Sequence, residues 1–345
     1  MLLSVTYFFR SLIFSEVKKN FTTKKWTINT LIIGTGKNAL KIASDLQIHA
    51  RQNTIVGFVA NTKQIEVSPD EVLGNLAQME AIIAKYNIQE AIVALDSNVD
   101  EQQIFKILNS LYKFDISIQF TPRLYEILIG SAKISPIGII PLVSLTHSSM
   151  PDWELCCKRF MDIIISTLAL VFLSPFLLYF IFKIKIDSKG PAFYKQERIG
   201  RLGKPFNIYK FRTMFLNSEN GVPKLSSADD IRITKIGRIL RKYRIDEIPQ
   251  FWNIIKGDMS LVGPRPERRY YINQIIDEAP YYCLLYKIRP GLTSWGPIKI
   301  GYSDSVEKMI ERLNYDIIYI ENMSLVNDIK ILIYTVEIIF NGKGV

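Results

Sequence analysis

From residue 28 onward, short apolar runs alternate with stretches in which apolar residues recur at helical spacing. Leu31-Ile32-Ile33 leads into Gly34-Thr35-Gly36, then a helical pattern to about Ala50, then a second apolar run over 55–60. Apolar runs of this length build strands and a 3.6-residue spacing builds helices, so this is a βαβ opening. Helices are expected again over 76–86 and 101–112, and strands over 91–95 and 116–120. Strands separated by helices pair in parallel, so residues 28–135 are predicted to form an α/β, Rossmann-like parallel sheet domain.

A stretch containing Pro and Ser, 135–152, breaks this periodicity and places a linker at 136–154. Just beyond it, residues 161–182 carry a single charge, Asp162. As a straight helix this run is about 30 Å long, enough to span a bilayer. Ser174-Pro175 interrupts it: Pro175 cannot donate to the carbonyl of Val171 and clashes with it, so a bend is expected. Lys158 and Arg159 precede the run and Lys183 and Lys185 follow it, which pulls both ends to the cytoplasmic side. A spanning helix and a re-entrant one over about 160–183 both fit. Residues 1–14 are apolar but interrupted by Arg10, with neither the leading charges nor the cleavage site of a signal peptide. The segment 1–27 reads as interfacial, or as the remnant of a membrane region.

The formal charge of +10, from 43 Lys and Arg against 33 Asp and Glu, favours phosphate-bearing or anionic-lipid partners. Nucleic acid is set aside, because the basic residues cluster beside the apolar run and no recognition motif accompanies them. Three cysteines, two of them adjacent, offer neither zinc spacing nor a disulfide framework. With only two histidines, His49 and His147, catalysis is left to carboxylates, Lys and Arg.

Those groups concentrate in the second half. Over 233–243, Ile236, Ile239 and Leu240 line one helical face and Lys235, Arg238, Arg241 and Lys242 much of the rest, the pattern of a helix at an anionic headgroup layer. Arg244-Ile245-Asp246-Glu247-Ile248-Pro249-Gln250 follows. Two adjacent carboxylates among cations suit a nucleophile and a metal ligand working on phosphate, although a solvated charged surface gives the same pattern. In Gly257-Asp258-Met259-Ser260-Leu261-Val262-Gly263-Pro264-Arg265-Pro266-Glu267, Gly and Pro stiffen a loop that presents Arg265, whose planar fork suits a diphosphate.

Lys158-Arg159-Phe160-Met161-Asp162, Lys210-Phe211-Arg212-Thr213-Met214, Asp230-Ile231-Arg232-Ile233-Thr234, the Asp-Glu-Ile-Pro-Gln segment and the Gly-Pro-Arg-Pro loop occur in that order. Arg289-Pro290-Gly291-Leu292-Thr293 and the tail from Tyr319 to Lys330 come after them. Together they resemble the bacterial polyprenyl-phosphate sugar-1-phosphate transferases of the monotopic kind, over residues 155–345. The resemblance implies a mostly helical, membrane-embedded α+β transferase domain whose re-entrant helix breaks at Ser174 and Pro175. It implies a catalytic dyad, Asp246 and Glu247: Asp246 attacks the β-phosphate of a UDP-sugar, UMP leaves, and polyprenyl phosphate takes the phosphosugar from the enzyme. Glu247 would hold Mg²⁺, with Mn²⁺ a substitute. Arg265 is the candidate for the donor diphosphate, followed by Lys210 and Arg212; Asp258 and Arg289 are either substrate ligands or structural. The expected partners are a UDP-sugar, polyprenyl phosphate and membrane lipids, and the expected location is the cytoplasmic face of the bacterial inner membrane, at the start of surface-polysaccharide synthesis.

Longer members of that family also resemble this chain in carrying a Rossmann-like domain ahead of the transferase, usually behind four membrane helices. Gly34 and Gly36, followed by Ala39, loosely satisfy a dinucleotide fingerprint, but the second strand ends at Ala60-Asn61, without the acid a ribose calls for. A regulatory nucleotide site and a dimerisation module are the two favoured roles for this domain. A redox enzyme is disfavoured, since no lysine follows at the Tyr-x-x-x-Lys offset in 282–286. The rival for the whole protein is a non-catalytic membrane scaffold or nucleotide sensor, against which the intact Asp246-Glu247 pair argues.

Overall fold

In a computed structural model the chain forms two compact units, Met1–His147 and Ser148–Val345. The structure describes residues 26–50, 52–61, 66–96, 101–121, 134–137, 140–144, 150–216, 230–301 and 305–340, together with positions 11, 15, 16, 19 and 20. The segment expected over 1–27 therefore lies mostly outside the described residues.

The first unit is an α/β sheet. Strands β1 (Ile28–Ile33), β2 (Asn53–Ala60), β3 (Val72–Asn75), β4 (Glu90–Val93) and β5 (Ser117–Phe120) are parallel in the order β3-β2-β1-β4-β5. This is the order of doubly wound sheets, with helices α1 (Lys37–His49), α2 (Met79–Tyr86) and α3 (Glu101–Leu111) in the connections. Leu31, Ile32, Ile33, Ala91, Ile92 and Val93 are all fully buried, as central strands covered on both faces require. Ala39, Ile42, Ala43 and Leu46, one face of α1, pack with Ile32, Phe58 and Ile92. Where the linker was expected, β6 (Ile134–Ile137) and β7 (Ile140–Ser144) form an antiparallel hairpin, and β7 extends the sheet beside β5. Pro136 and Pro141 stand opposite each other in it; prolines are tolerated toward a sheet edge, where fewer ladder N–H groups are needed.

Near the starts of these strands Glu90, 5 % exposed, accepts from Thr30 Oγ1 at 3.2 Å, Asn53 Nδ2 at 2.5 Å and Gln119 Nε2 at 2.5 Å. One carboxylate thus ties β1, β2, β4 and β5 together. Burial raises its pKa, against the hydrogen bonds from Thr30 and Asn53.

The second unit begins with α4 (Asp152–Asp187), 36 residues and roughly 54 Å if straight. It is the one described helix long and apolar enough to cross a membrane. Its polar residues near the start turn onto the rest of the unit. Lys158 Nζ donates to the Val262 carbonyl at 2.9 Å and to Asp328 Oδ2 at 2.5 Å. Arg159 donates to the carbonyls of Ile254 and Ile255 at 2.8 and 3.1 Å. Asp162 accepts from Ser260 Oγ at 2.8 Å and the Leu261 N–H at 3.0 Å. Farther on, Leu177, Phe180, Ile181 and Ile184 pack with Ala192, Phe211 and Leu240. Between and around these anchors Ile163, Leu168, Val171, Phe172, Phe176 and Leu178 are exposed. Pro175 lies inside the helix, and Ser174 Oγ donates to the Val171 carbonyl at 2.8 Å.

A hairpin follows, β8 (Phe193–Ile199) with β9 (Pro205–Phe211), then α5 (Lys235–Lys242) and α6 (Gln250–Lys256). Strands β10 (Ser260–Val262) and β11 (Gly291–Thr293) pair in parallel across α7 (Arg269–Glu278). Helices α8 (Trp295–Ile300), α9 (Val306–Glu321) and α10 (Leu325–Phe340) complete the unit. On α5, Leu240 and Ile236 join the core while Ile239 is half exposed.

Candidate active site

Two turns and one strand bring the chemistry together. Thr234 caps α5 by accepting the Gly237 N–H at 3.0 Å, and α5 ends into Arg244, whose φ of 53° is left-handed. That conformation costs a non-glycine residue about 1 kcal/mol and reverses the chain sharply. A 3-10 turn, Ile245–Glu247, comes next, and Pro249 starts α6. The turn carries Asp246 and Glu247, each 8 % exposed, so the surface-charge reading of this pair does not hold.

Cations close around the pair. Lys210 Nζ, at the end of β9, lies 2.8 Å from Glu247 Oε1, and Arg265 Nη2 lies 3.1 Å from the same oxygen. Arg244 Nη1 is 3.7 Å from Oε2. Burial alone would raise Glu247, but Lys210, Arg265 and Arg244 overcome it and hold the carboxyl well below the usual range. Asp246 goes the other way: burial pushes it up to about 6, and the neighbouring Glu247 charge adds to this against Lys210, Arg241 and Arg265. Burial lowers Lys210, partly offset by Glu247. Two adjacent carboxylates with affinities pushed apart are one ionised charge and one group that titrates near working pH.

The Gly-Pro-Arg-Pro loop is held rigidly beneath this cluster. A Cβ on Gly263 would lie 2.5 Å from the Arg289 carbonyl oxygen, and one on Gly291 would lie 2.1 Å from the Gly263 nitrogen. Only glycine allows these two segments such an approach. The Gly263 N–H donates to Thr293 O at 3.0 Å and the Gly291 N–H to Pro264 O at 2.9 Å. On the far side Glu267 pairs with Arg198 at 3.1 Å and with Arg312, and Arg198 donates to the Pro266 carbonyl at 3.2 Å. The Arg265 N–H reaches Asp316 Oδ2 at 3.4 Å. Burial pushes Asp316 up to about 6, against Arg312 and the bonds from Ser294 and Arg265.

Lys210, Asp246, Glu247 and Arg265 are therefore one cluster. The other candidates sit elsewhere. Arg212 Nη1 donates to the Lys189 carbonyl at 2.9 Å and Nη2 to Ser188 O at 2.7 Å, so its guanidinium satisfies the carbonyls past the end of α4. Asp258 pairs with Lys256 at 3.1 Å and its N–H donates to Asn253 O at 3.1 Å. Arg289 Nε donates to the Gly257 carbonyl at 3.0 Å rather than to a carboxylate. Ser174 and Pro175 lie within α4, and Gly34 and Gly36 belong to the first unit.

Several positioning residues escape a reading of the sequence. Asn253, fully buried, donates to Asn207 O at 2.7 Å and accepts the Tyr209 N–H at 3.0 Å, fastening α6 to the strand that carries Lys210. Nothing in the sequence marks it, nor Arg312 and Asp316, whose i, i+4 spacing on α9 is common to any helix. No cluster of three or more His, Cys, Asp or Glu side chains able to hold a metal occurs among the described residues. Mg²⁺ generally takes only one or two carboxylates and completes its shell with phosphate and water oxygens, a requirement Asp246 and Glu247 fit.

The model of the family described as bacterial sugar transferase matches residues 153–342. The UDP-N-acetylgalactosamine-undecaprenyl-phosphate N-acetylgalactosaminephosphotransferase of Aeromonas hydrophila is 37 % identical over 229 residues, 66 % of this chain and 53 % of that one. The UDP-glucose:undecaprenyl-phosphate glucose-1-phosphate transferase of Klebsiella pneumoniae is 36 % identical over 239 residues, 69 % and 51 % of the two chains. An uncharacterised sugar transferase of Haemophilus influenzae is 31 % identical over 361 residues and covers 95 % of this chain and 72 % of its own. The chain thus spans about half the length of the first two relatives. With the family match covering nearly all of the unit that holds Asp246, Glu247, Lys210 and Arg265, and more than half of the chain, the chain belongs to the bacterial sugar transferase family.

Proposed function

We propose that this protein transfers a sugar 1-phosphate from a UDP-sugar to a polyprenyl phosphate by way of a phosphosugar carried on Asp246. The observation that carries the reading is the buried Asp246-Glu247 pair ringed by Lys210, Arg265 and Arg244. An ionised Asp246 oxygen attacks the β-phosphorus of the donor; the bond from that phosphorus to the bridging oxygen breaks, and UMP leaves with the electron pair. An oxygen of the lipid phosphate then attacks the same phosphorus, the Asp246–phosphorus bond breaks, and the carboxylate is restored. Donor and acceptor come from water and from lipid, and the covalent step lets each visit one site in turn.

Arg265 and Lys210 offset the phosphate charge that would otherwise repel a carboxylate nucleophile. Arg265, its loop pinned by Glu267 and Asp316, is placed to fork onto the donor diphosphate. Glu247, with Asp246 beside it, would hold Mg²⁺ or Mn²⁺, which adds to that neutralisation when bound.

The same proposal puts α4 in the membrane as a re-entrant helix entered from the cytoplasmic side. What supports it is that both ends of the apolar run are fastened to one unit, at Lys158, Arg159 and Asp162 and again at Ile181 and Ile184. Lys158 and Ile184 would be about 39 Å apart on a straight helix, and Ser174-Pro175 lies between them. The half-exposed Ile239 and the basic face of α5 suit the headgroup layer beside it.

The test is UMP release by the purified chain from a panel of UDP-sugars, with polyprenyl phosphate and Mg²⁺, beside Asp246→Asn. Release by the unaltered chain alone, and from one sugar, supports the reading and names the donor. Release by neither chain, with lipid and metal verified, sinks it.

A further inference from the structure

We infer that the glycine-rich turn of the first unit is closed to phosphate by the chain's own Asp96, which occupies the place a dinucleotide pyrophosphate would take. In an open dinucleotide site the turn after the first strand lets a ligand phosphate approach the backbone and the N–H groups that begin the next helix. Here a side chain from the segment just past β4 has made that approach. Asp96 Oδ1 accepts the Asn38 N–H, in the first turn of α1, at 3.2 Å. Asn38 Nδ2 donates back to the Leu95 carbonyl at 2.9 Å, so the end of β4 and the start of α1 are stitched at two points.

The two glycines meet different atoms of the segment past β4. A Cβ on Gly36 would lie 1.7 Å from Asp96 Oδ2, and one on Gly34, at φ +132°, would lie 2.2 Å from the Ala94 carbonyl oxygen. Gly36 itself has φ −93° and ψ −167°, an extended backbone that alanine adopts freely. What a Cβ here meets is the end of an exposed side chain, so alanine at position 36 is accommodated by swinging the Asp96 carboxylate off the Asn38 N–H. A carboxylate seated there satisfies a helix N–H and meets the positive end of the helix dipole, as a bound phosphate does, and its charge repels a phosphate trying to enter. Strand β2 ends at Ala60 with Asn61 after it, not with the acid that a dinucleotide ribose calls for at the strand end. The fingerprint of the sequence is here a self-capped turn, and a phosphate ligand enters only if Asp96 leaves.

The inference is independent of the transferase reading, and amide hydrogen exchange on the full chain tests it locally, at residues 37–49. Because an alanine Cβ at position 36 displaces the Asp96 carboxylate from the Asn38 N–H, Gly36→Ala and Asp96→Ala lose the same contact. Each is expected to speed exchange across α1 about five-fold, and the double variant no more than either alone. NADH at millimolar concentration is expected to leave exchange at 37–49 unchanged in the unaltered chain. Multiplying effects in the double variant would overturn the contact. NADH-dependent slowing at 37–49 in the unaltered chain would overturn the closure.

Discussion

Replacing Lys210 by Met separates the two carboxylates of the site in one experiment. Lys210 Nζ stands 2.8 Å from Glu247 Oε1, with side chains only 18 % and 11 % exposed. Removing one partner of a buried pair costs about 3–5 kcal/mol. Glu247 keeps Arg265 at 3.1 Å and Arg244 at 3.7 Å, so the low end, about 3 kcal/mol, is expected for unfolding at neutral pH. The catalytic consequence falls on Asp246, whose pKa is about 6 because burial outweighs its cations, of which Lys210 is the strongest. A nucleophilic carboxylate must be ionised, so the rate of the unaltered enzyme is expected to fall about ten-fold per pH unit below that value. Without Lys210 the acid limb moves upward by about one unit, equivalent to about 1.4 kcal/mol of lost charge stabilisation. UMP release followed from pH 5 to 9, with urea unfolding of the same samples, reads both effects. An acid limb that stays in place in Lys210→Met would refute the idea that this lysine sets the ionisation of Asp246.

Other perturbations address separate parts of the account. Arg265→Ala is expected to raise KM for the UDP-sugar at least ten-fold and also to lower unfolding stability, because Glu247 loses a partner at 3.1 Å, checked by steady-state kinetics and denaturant titration. Lys158→Met leaves Asp328 buried without its cation and is expected to cost about 3 kcal/mol or more in unfolding, with partial recovery in the Lys158→Met/Asp328→Asn pair, read by denaturant titration. Chelation of divalent cations is expected to stop UMP release, with Mg²⁺ restoring it and Mn²⁺ substituting, in the same assay.

The parts legible from the sequence are those whose signal is local. The alternation from Leu31 to Phe120 revealed the parallel sheet because each central strand is an unbroken apolar run. It missed β3, four residues with no room for a pattern, and it read the β6–β7 hairpin as linker because two prolines mask a strand. In the second unit, ordered motifs marked Asp246, Glu247, Lys210 and Arg265, which the fold gathers into one cluster. The partners of those motifs stayed hidden because they are distant in the chain. Lys158 meets Asp328 across 170 positions, and Asp162 meets Ser260 across 98. Arg212 shows the other side of this: a basic residue in a motif resembles a phosphate ligand, and in the fold its Nη1 and Nη2 donate to the carbonyls of Lys189 and Ser188. Whether a cation faces a substrate or a helix end is a property of packing, and no spacing encodes it.

The most direct test of the central claim is intact-protein mass measurement after mixing the chain with its UDP-sugar and Mg²⁺, without the lipid acceptor. The account predicts a single added phosphosugar, located on Asp246 by peptide mapping, absent from Asp246→Asn, and discharged when polyprenyl phosphate is supplied. UMP release at full rate with no such adduct, or full activity in Asp246→Asn, would contradict it.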